Sequence, residues 1–392
     1  MTEKSPNKKK KSWSWRSQAF RGVVYQMLAI GAVALGVWFL AHNTLINMQA
    51  RGIQSGFDFL WDSAGFDIGE SLFPFDSASP YWKAYAVGIV NTLRVAIIGI
   101  ILTTILGTLI GVGRFSRNAL VRGICYAYVE TFRNVPILLQ LLMWYLLLTE
   151  SLPYVQDAWQ IGPMYLAKGG LVFPKPIWES GHLWGALGLV AGAFFAMGYR
   201  KWAVRKFEET GQPRSMFWLP LAIFLVTGVL AWWLAGAPLE FNFPIKGDFS
   251  IEHGGALTPE FLAVLLGLTM YTAAFVAEVV RSGIQSVAQG QGEAAAALGL
   301  HPRQVMRLVT LPQALRVIIP PVTNQFLNLT KNSSLAVAIG YPDVVSIANT
   351  SLNQTGRAVE AIAIVMLVYL TTSLSTSLLM NWYNARSAIK ER

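Results

Sequence analysis

Glu293-Ala294-Ala295, then Gly299, then Val309-Thr310-Leu311-Pro312: this stretch is short, basic and rich in small residues, and it lies between long apolar runs. Ala294 to Leu298 favour helix. Gly299 suits a turn in which a residue with a Cβ is strained. Pro302 fits the first turn of a second helix, where its missing N–H costs least, and Pro312 is expected to end or kink that helix. The pattern reads helix, tight turn, helix. With Glu293, His301, Arg303, Gln304 and Arg307 it is too polar to cross a bilayer, because charge at the bilayer centre is costly. On residue types alone two readings stand. One is a DNA-binding helix-turn-helix with Arg303 and Arg307 on its second helix; the other is a loop between membrane helices.

The remainder of the chain bears on that choice. Its 392 residues are 54% hydrophobic and 13% charged, with 14 Trp and a mean hydropathy of +0.44. That is too apolar for a soluble domain and predicts an all-α, polytopic membrane protein. Apolar runs predict about eight spans: 23–40, 86–112, 123–148, 183–198, 217–234, 261–280, one starting near Pro321, and 361–382. A basic tail, 1–22, precedes the first run, which is long for a cleaved signal and reads as an anchor.

Lysine and arginine fall on alternate segments: seven in 1–22, three in 113–122, five in 199–216, four in 281–320 and three in 383–392, which is 22 of the 31. Positive loops stay cytoplasmic, so both termini and the Glu293 loop are expected inside. The net charge of +10 is then a topology signal, and no nucleic-acid partner is expected. Both ends of the helix-turn-helix-like loop are tied to membrane spans, which leaves little reach into a DNA groove.

The spacing of the opening stretch is specific. Glu293, Ala294, Ala295, Gly299, Val309, Leu311 and Pro312 occupy seven defined positions over twenty residues. They resemble the "EAA" loop of ABC-importer permeases, which in that family docks into a cleft of the cytoplasmic ATPase and carries its motion into the membrane. Glu130-x-x-Arg133-x-x-Pro136 followed by Gln140-Leu141 resembles the histidine and glutamine type of these permeases, the polar amino-acid uptake family. The likeness covers about 85–148 and 261–384. The extra first helix and the insert depart from short members and look like the permeases of general L-amino-acid importers.

Three further features carry charge or polarity inside spans. Glu130 with Arg133, and Glu278 with Arg281, sit three apart and can pair on one helix face. Mutual neutralisation and a substrate role are both open for them, since ionisable groups in spans are functional candidates. Asn324, Asn328 and Lys331 follow at i, i+4 and i+7 and share a face. Such a face must look at protein or water; it either glues helices together or lines a translocation path.

One cysteine, Cys125, and four scattered histidines give no metal-ligand spacing, and no G-x-x-x-x-G-K-[ST] loop occurs, so no metal or cofactor is expected. The expected layout is a basic tail (1–22), an extra helix (23–40), a periplasmic loop (41–85), a first core part (86–148), a two-span insert with periplasmic loops (149–260), a second core part (261–384) holding the coupling loop (289–312), and a tail (385–392). The resemblance implies a non-enzymatic permease of L-amino acids in a bacterial inner membrane. Its implied partners are cytoplasmic ATPase subunits, a second permease of the same family and a periplasmic amino-acid-binding protein. An ion-coupled secondary transporter ought to show repeats of similar length, which are not evident; that reading and a membrane-anchored DNA-binding regulator are the alternatives. The topology has a direct test. A reporter that works only outside the cytoplasm is expected to be active when fused near Ser63 or Lys168 and silent near Glu208 or Gly290; activity at Gly290 overturns the orientation.

Overall fold

The computed structural model describes Trp15, residues 17–50, Gly52, and 55–387 apart from Pro213. Most of the expected basic tails lies outside these residues. The helices are α1 (Gln18–Ala50), α2 (Tyr81–Gly113), α3 (Ala119–Asn134), α4 (Ile137–Glu150), α5 (Ser180–Thr210), α6 (Trp218–Leu234), α7 (Pro259–Gln285), α8 (Gln289–Ala297), α9 (Pro302–Val305), α10 (Leu311–Asn332), α11 (Val344–Thr355) and α12 (Ala358–Ser387). Among the described residues, six helical segments are long and apolar enough to cross a membrane: Phe20–Met48, Tyr81–Gly113, Ser180–Thr210, Pro259–Gln285, Pro302–Ile339 and Ala358–Trp382. Helix α6, with 17 residues, is shorter, about 26 Å long.

Two expected spans differ in form. The third is not one straight helix: α3 and α4 bend by 108° at Val135–Pro136. Pro136 supplies no N–H, and the residue before a proline is pushed out of the helical region; Val135 sits at φ −97° and ψ 129°. The seventh does not begin near Pro321. Helix α10 starts at Leu311 and carries Pro320 and Pro321 in its interior, as membrane helices tolerate when neighbours re-satisfy the freed groups. Pro312 likewise does not end the helix but sits in its first turn.

The chain divides into two compact units, residues 1–90 with 344–374, and 91–343 with 375–392. In the smaller unit, Phe59, Ala64, Tyr81, Ala84 and Tyr85 pack with Val344, Ile347, Ala348 and Ala361. The buried Arg357 fastens the preceding loop there. It donates to both carboxylate oxygens of Asp58, each at 3.0 Å, and to the Gly56 carbonyl at 2.9 Å. That arginine holds the Asp58 carboxyl below its ordinary pKa. Glu360 accepts the Gly56 N–H at 2.7 Å.

The larger unit is built on α7. Thr258 caps it by accepting the Phe261 N–H at 3.1 Å, with Pro259 in the first turn. Phe261, Ala263, Val264 and Leu268 of α7 meet Val95 and Ala96 of α2, Leu141 of α4, Leu329 of α10 and Tyr341. Tyr341 donates to the Asn91 carbonyl at 3.3 Å, and the Asn91 side chain donates to the Pro342 carbonyl at 3.0 Å.

Short strands appear in the segments flanking α5 and α6, which the expectation of an all-helical chain did not include. They are β1 (Trp159–Ile161), β2 (Met164–Ala167), β3 (Gly170–Phe173), β4 (Lys175–Pro176), β5 (Phe241–Asn242), β6 (Ile245–Lys246), β7 (Ile251–Glu252) and β8 (Gly255–Leu257). An antiparallel sheet runs β1-β2-β3-β8, pairing Tyr165 with Val172 and Val172 with Ala256. Thus 153–179 is a small sheet more than a loop.

Between these segments α5 and α6 form a tight hairpin. Gly181, Gly185, Gly188 and Gly192 lie on one stripe of α5 and are buried. A Cβ at Gly192 would lie 2.8 Å from the Phe224 carbonyl oxygen, and one at Gly188 would press on Ala231 and lie 2.8 Å from the Thr227 carbonyl oxygen. Close backbone approach of this kind drives helix association where burial from lipid gives no hydrophobic gain. Gly198, farther along α5, has nothing within 4 Å of the same position. Gly188→Leu is therefore expected to destabilise the detergent-purified chain by about 1–3 kcal/mol, read as a lower melting temperature, whereas Gly198→Leu leaves melting near wild type.

Candidate functional site

The Glu293 stretch folds as two short helices joined by a tight turn. Helix α8 closes with the Gly299 N–H on the Ala296 carbonyl at 2.9 Å and the Leu300 N–H on the Ala295 carbonyl at 3.2 Å. This reversal needs a left-handed residue, and Gly299 has φ +80°. His301 then caps α9: its ring nitrogen accepts the Arg303 N–H at 3.4 Å, and Gln304 Oε1 accepts the His301 N–H at 2.9 Å. After α9 the backbone widens into a π turn, Met306–Thr310, in which the Leu311 N–H reaches back to the Met306 carbonyl. Helix α10 follows without a break.

Within this element Ala295 is buried, while Glu293, Ala294 and Gly299 face outward. Val309 and Pro312 are half-buried and Leu311 is exposed. Gln313 donates to Gln291 at 3.4 Å and ties the start of α10 to α8. Leu298 is 83% exposed and Leu308 61%. With Met306, 46% exposed, they stand on the outside of this knob beside the exposed Glu293, Arg303 and Arg307.

Farther along α10 the two faces differ. Ile318, Val322 and Leu329 are buried, and the first two pack with Val276 and Val280 of α7. Asn324, Asn328 and Lys331 are exposed on another face. The structure thus keeps these three on one stripe of the helix. Nothing in the larger unit covers that stripe among the described residues.

The two expected ion pairs resolve into one cluster. Glu278 pairs with Arg281, whose Nε lies 3.2 and 3.1 Å from its two oxygens. Glu278 also pairs with Arg114 at the end of α2, and Arg133 Nη1 lies 4.0 Å away. The expected Glu130–Arg133 pair is not formed. Arg133 turns toward Glu278 and stacks on the Phe275 ring at 5.3 Å, and Glu130 meets Asn134, which donates to its carbonyl at 2.7 Å. One carboxylate so fastens α2, α3 and α7 at one end of the unit. Gln140 has a separate task. Its side chain donates to the carbonyls of Phe132 and Val135 at 3.0 and 2.8 Å, satisfying acceptors that the break at Pro136 leaves open.

Two residues escaped the sequence reading. Arg94 lies inside the apolar run of α2 and its guanidinium covers the Phe261 ring at 4.1 Å. A single charge in an apolar run was the available signal. Asp343, fully buried after α10, gave none.

Helix α7 buried among α2, α4 and α10, and a polar two-helix loop that runs into α10, are the frame of a multi-span membrane protein. The family model for the inner-membrane component of binding-protein-dependent transport systems matches residues 186–388. The chain is 47% identical over 97% of its length to the "General L-amino acid transport system permease protein AapQ" of Rhizobium johnstonii, covering 96% of that protein. It is 38% identical over 95% of its length to the "Glutamate/glutamine/aspartate/asparagine transport system permease protein BztB" of Rhodobacter capsulatus, covering 95% of that protein. The chain belongs to the family of binding-protein-dependent transport-system inner-membrane components.

Removing the Glu278 carboxylate leaves three arginines facing one another. Glu278→Gln is expected to cost about 1–3 kcal/mol in thermal melts of the purified chain. Glu130→Gln, which breaks no ion pair among the described residues, is expected to melt within about 0.5 kcal/mol of wild type.

Proposed function

We propose that this chain is the permease subunit of an ATP-driven importer of L-amino acids and that it couples to a separate ATPase through residues 289–312. The observation that carries the coupling role is the exposed knob formed by α8, α9 and the π turn after them, with Leu298 and Leu308 outward and Gly299 at the turn. The amino-acid substrate rests on the relatives, whose names give amino acids as what they transport. No phosphate-binding loop occurs in the chain, which fits ATP hydrolysis on another subunit. The same reading gives it a periplasmic amino-acid-binding protein as donor, and a second permease of its family to cover the stripe of Asn324, Asn328 and Lys331. It places the chain in a bacterial inner membrane with eight spans, counting the broken α3–α4 pair and α6, and with both termini cytoplasmic.

In this reading Lys331 faces the path, where its ammonium attracts the carboxylate of a passing amino acid. Glu278 and its arginines hold the helix ends together and stay outside the path.

Uptake assays of the whole complex test both assignments. A Cβ at Gly299 meets no neighbour within 4 Å, so a substitution there strains only the backbone. A β-branched residue tolerates φ > 0 worst, and the strain is about 1–2 kcal/mol. Gly299→Val is expected to reach the membrane at a near-normal level yet lose uptake, with less ATPase co-purifying. Normal uptake at normal expression would remove the coupling role. Lys331→Met is expected to insert and assemble normally and to lower uptake at least severalfold; unchanged kinetics leave Lys331 as a helix-packing residue.

A further inference from the structure

Next to the close contact of Gly192 with Phe224, a groove of about 500 Å³, open to the outside over most of its extent, lies between the two helices of the insert hairpin. Its walls are Ala193, Ala196 and Met197 of α5 and Phe217, Pro220 and Phe224 beside and on α6. The α5 positions follow at i, i+3 and i+4 and so share a face. Arg200, at i+7 from Ala193, closes that row and also lines the cavity. The groove is therefore apolar along its length and basic at one end.

The basic end is not neutralised by the protein. Lys206 is paired with Glu209 at 2.9 Å, and Arg214 lies over the Trp202 ring at 4.6 Å. Arg200, Lys201 and Arg205 are exposed and make no ion pair among the described residues. They stand where the apolar run of α5 gives way to polar sequence, the depth at which long basic side chains reach for a headgroup. Apolar grooves between membrane helices that end in basic side chains match a phospholipid whose headgroup is negative. A soluble anion would use the arginine and leave the apolar walls unexplained. A zwitterionic lipid would use the walls and leave Arg200, which lines the groove itself, without a net counter-charge.

We propose that the α5–α6 hairpin holds one anionic phospholipid, with an acyl chain along Ala193, Ala196 and Phe224 and the phosphate against Arg200. The site rests on α5 and α6 lying in the membrane, which the reporter fusions test independently. It does not depend on the coupling role of residues 289–312.

The test is native mass spectrometry of the full-length chain in detergent, titrated with phosphatidylglycerol or phosphatidylcholine. One phosphatidylglycerol is expected to stay bound, more tightly than phosphatidylcholine. Arg200→Gln is expected to weaken it about fivefold, the share of one basic side chain at an anionic headgroup. Ala196→Trp fills the groove without touching the charge and is expected to abolish retention; it also carries the test if Arg200→Gln does not fold. Wild-type melting temperatures show that each variant retains its fold. Equal retention of both lipids, retention unchanged in both variants, or displacement by inorganic phosphate alone would each overturn the site.

Discussion

Close backbone contact with α7 is the constraint on which the larger unit depends. In lipid, bringing two apolar helices together releases no water, so the fit between surfaces has to supply the attraction. Helix α7 meets its neighbours through glycines on three sides. A Cβ at Gly107 or Gly111 of α2 would fall 2.7 Å from Val276 or 2.8 Å from the Ala277 carbonyl oxygen. One at Gly267 of α7 would fall 2.6 Å from Leu141 of α4, and one at Gly283 would overlap Ile318 of α10. Each approach brings a neighbour close enough for its side chains to bury the interior of α7 from Phe261 to Val280. The polar features then sit where this frame puts them: the Glu278 cluster at one end, and the outer face of α10 turned away.

Much of this was legible in the residues. Long apolar runs announce spans because only helices satisfy their own backbone in lipid. The turn at Gly299 was readable because a left-handed residue without a Cβ leaves few alternatives. What failed to show depends on contacts distant in sequence. The span over 123–148 was read as one helix although Pro136 lies within it, and the 108° bend there is completed by Gln140 folded back onto the Phe132 and Val135 carbonyls. Glu278 was expected to pair three residues on, and it does. Its partner Arg114, however, lies 164 residues away, beyond any local periodicity. Strands of two to four residues carry too few side chains to display a period, so β1 to β8 were read as loop.

Prolines were over-read in one respect. Pro320 and Pro321 resemble a helix start, and in water a proline pair mid-helix costs several kcal/mol. Here α10 passes through both, anchored by Ile318 on one side and Val322 on the other. The same helix therefore begins ten residues earlier than expected, at Leu311. It joins the coupling stretch directly to the stripe of Asn324, Asn328 and Lys331.

That continuity bears on how a push at the knob could reach the membrane. A flexible linker would absorb a displacement, but the path from α9 to α10 is helical throughout. It departs from α geometry at the turn Met306–Thr310, where the Leu311 N–H spans five residues to Met306. Pro312, next in line, has no N–H to offer the Leu308 carbonyl. A π turn lets the backbone shift by part of a residue while remaining hydrogen-bonded. On the proposed reading, docking at Leu298 and Leu308 acts on α10 through this joint. The inner face of α10 packs on Val276 and Val280, and on the same reading the motion that matters is a turn of α10 over that contact. Rotation is the motion that changes what Asn324, Asn328 and Lys331 face, whereas bending alone would leave their stripe pointing as before.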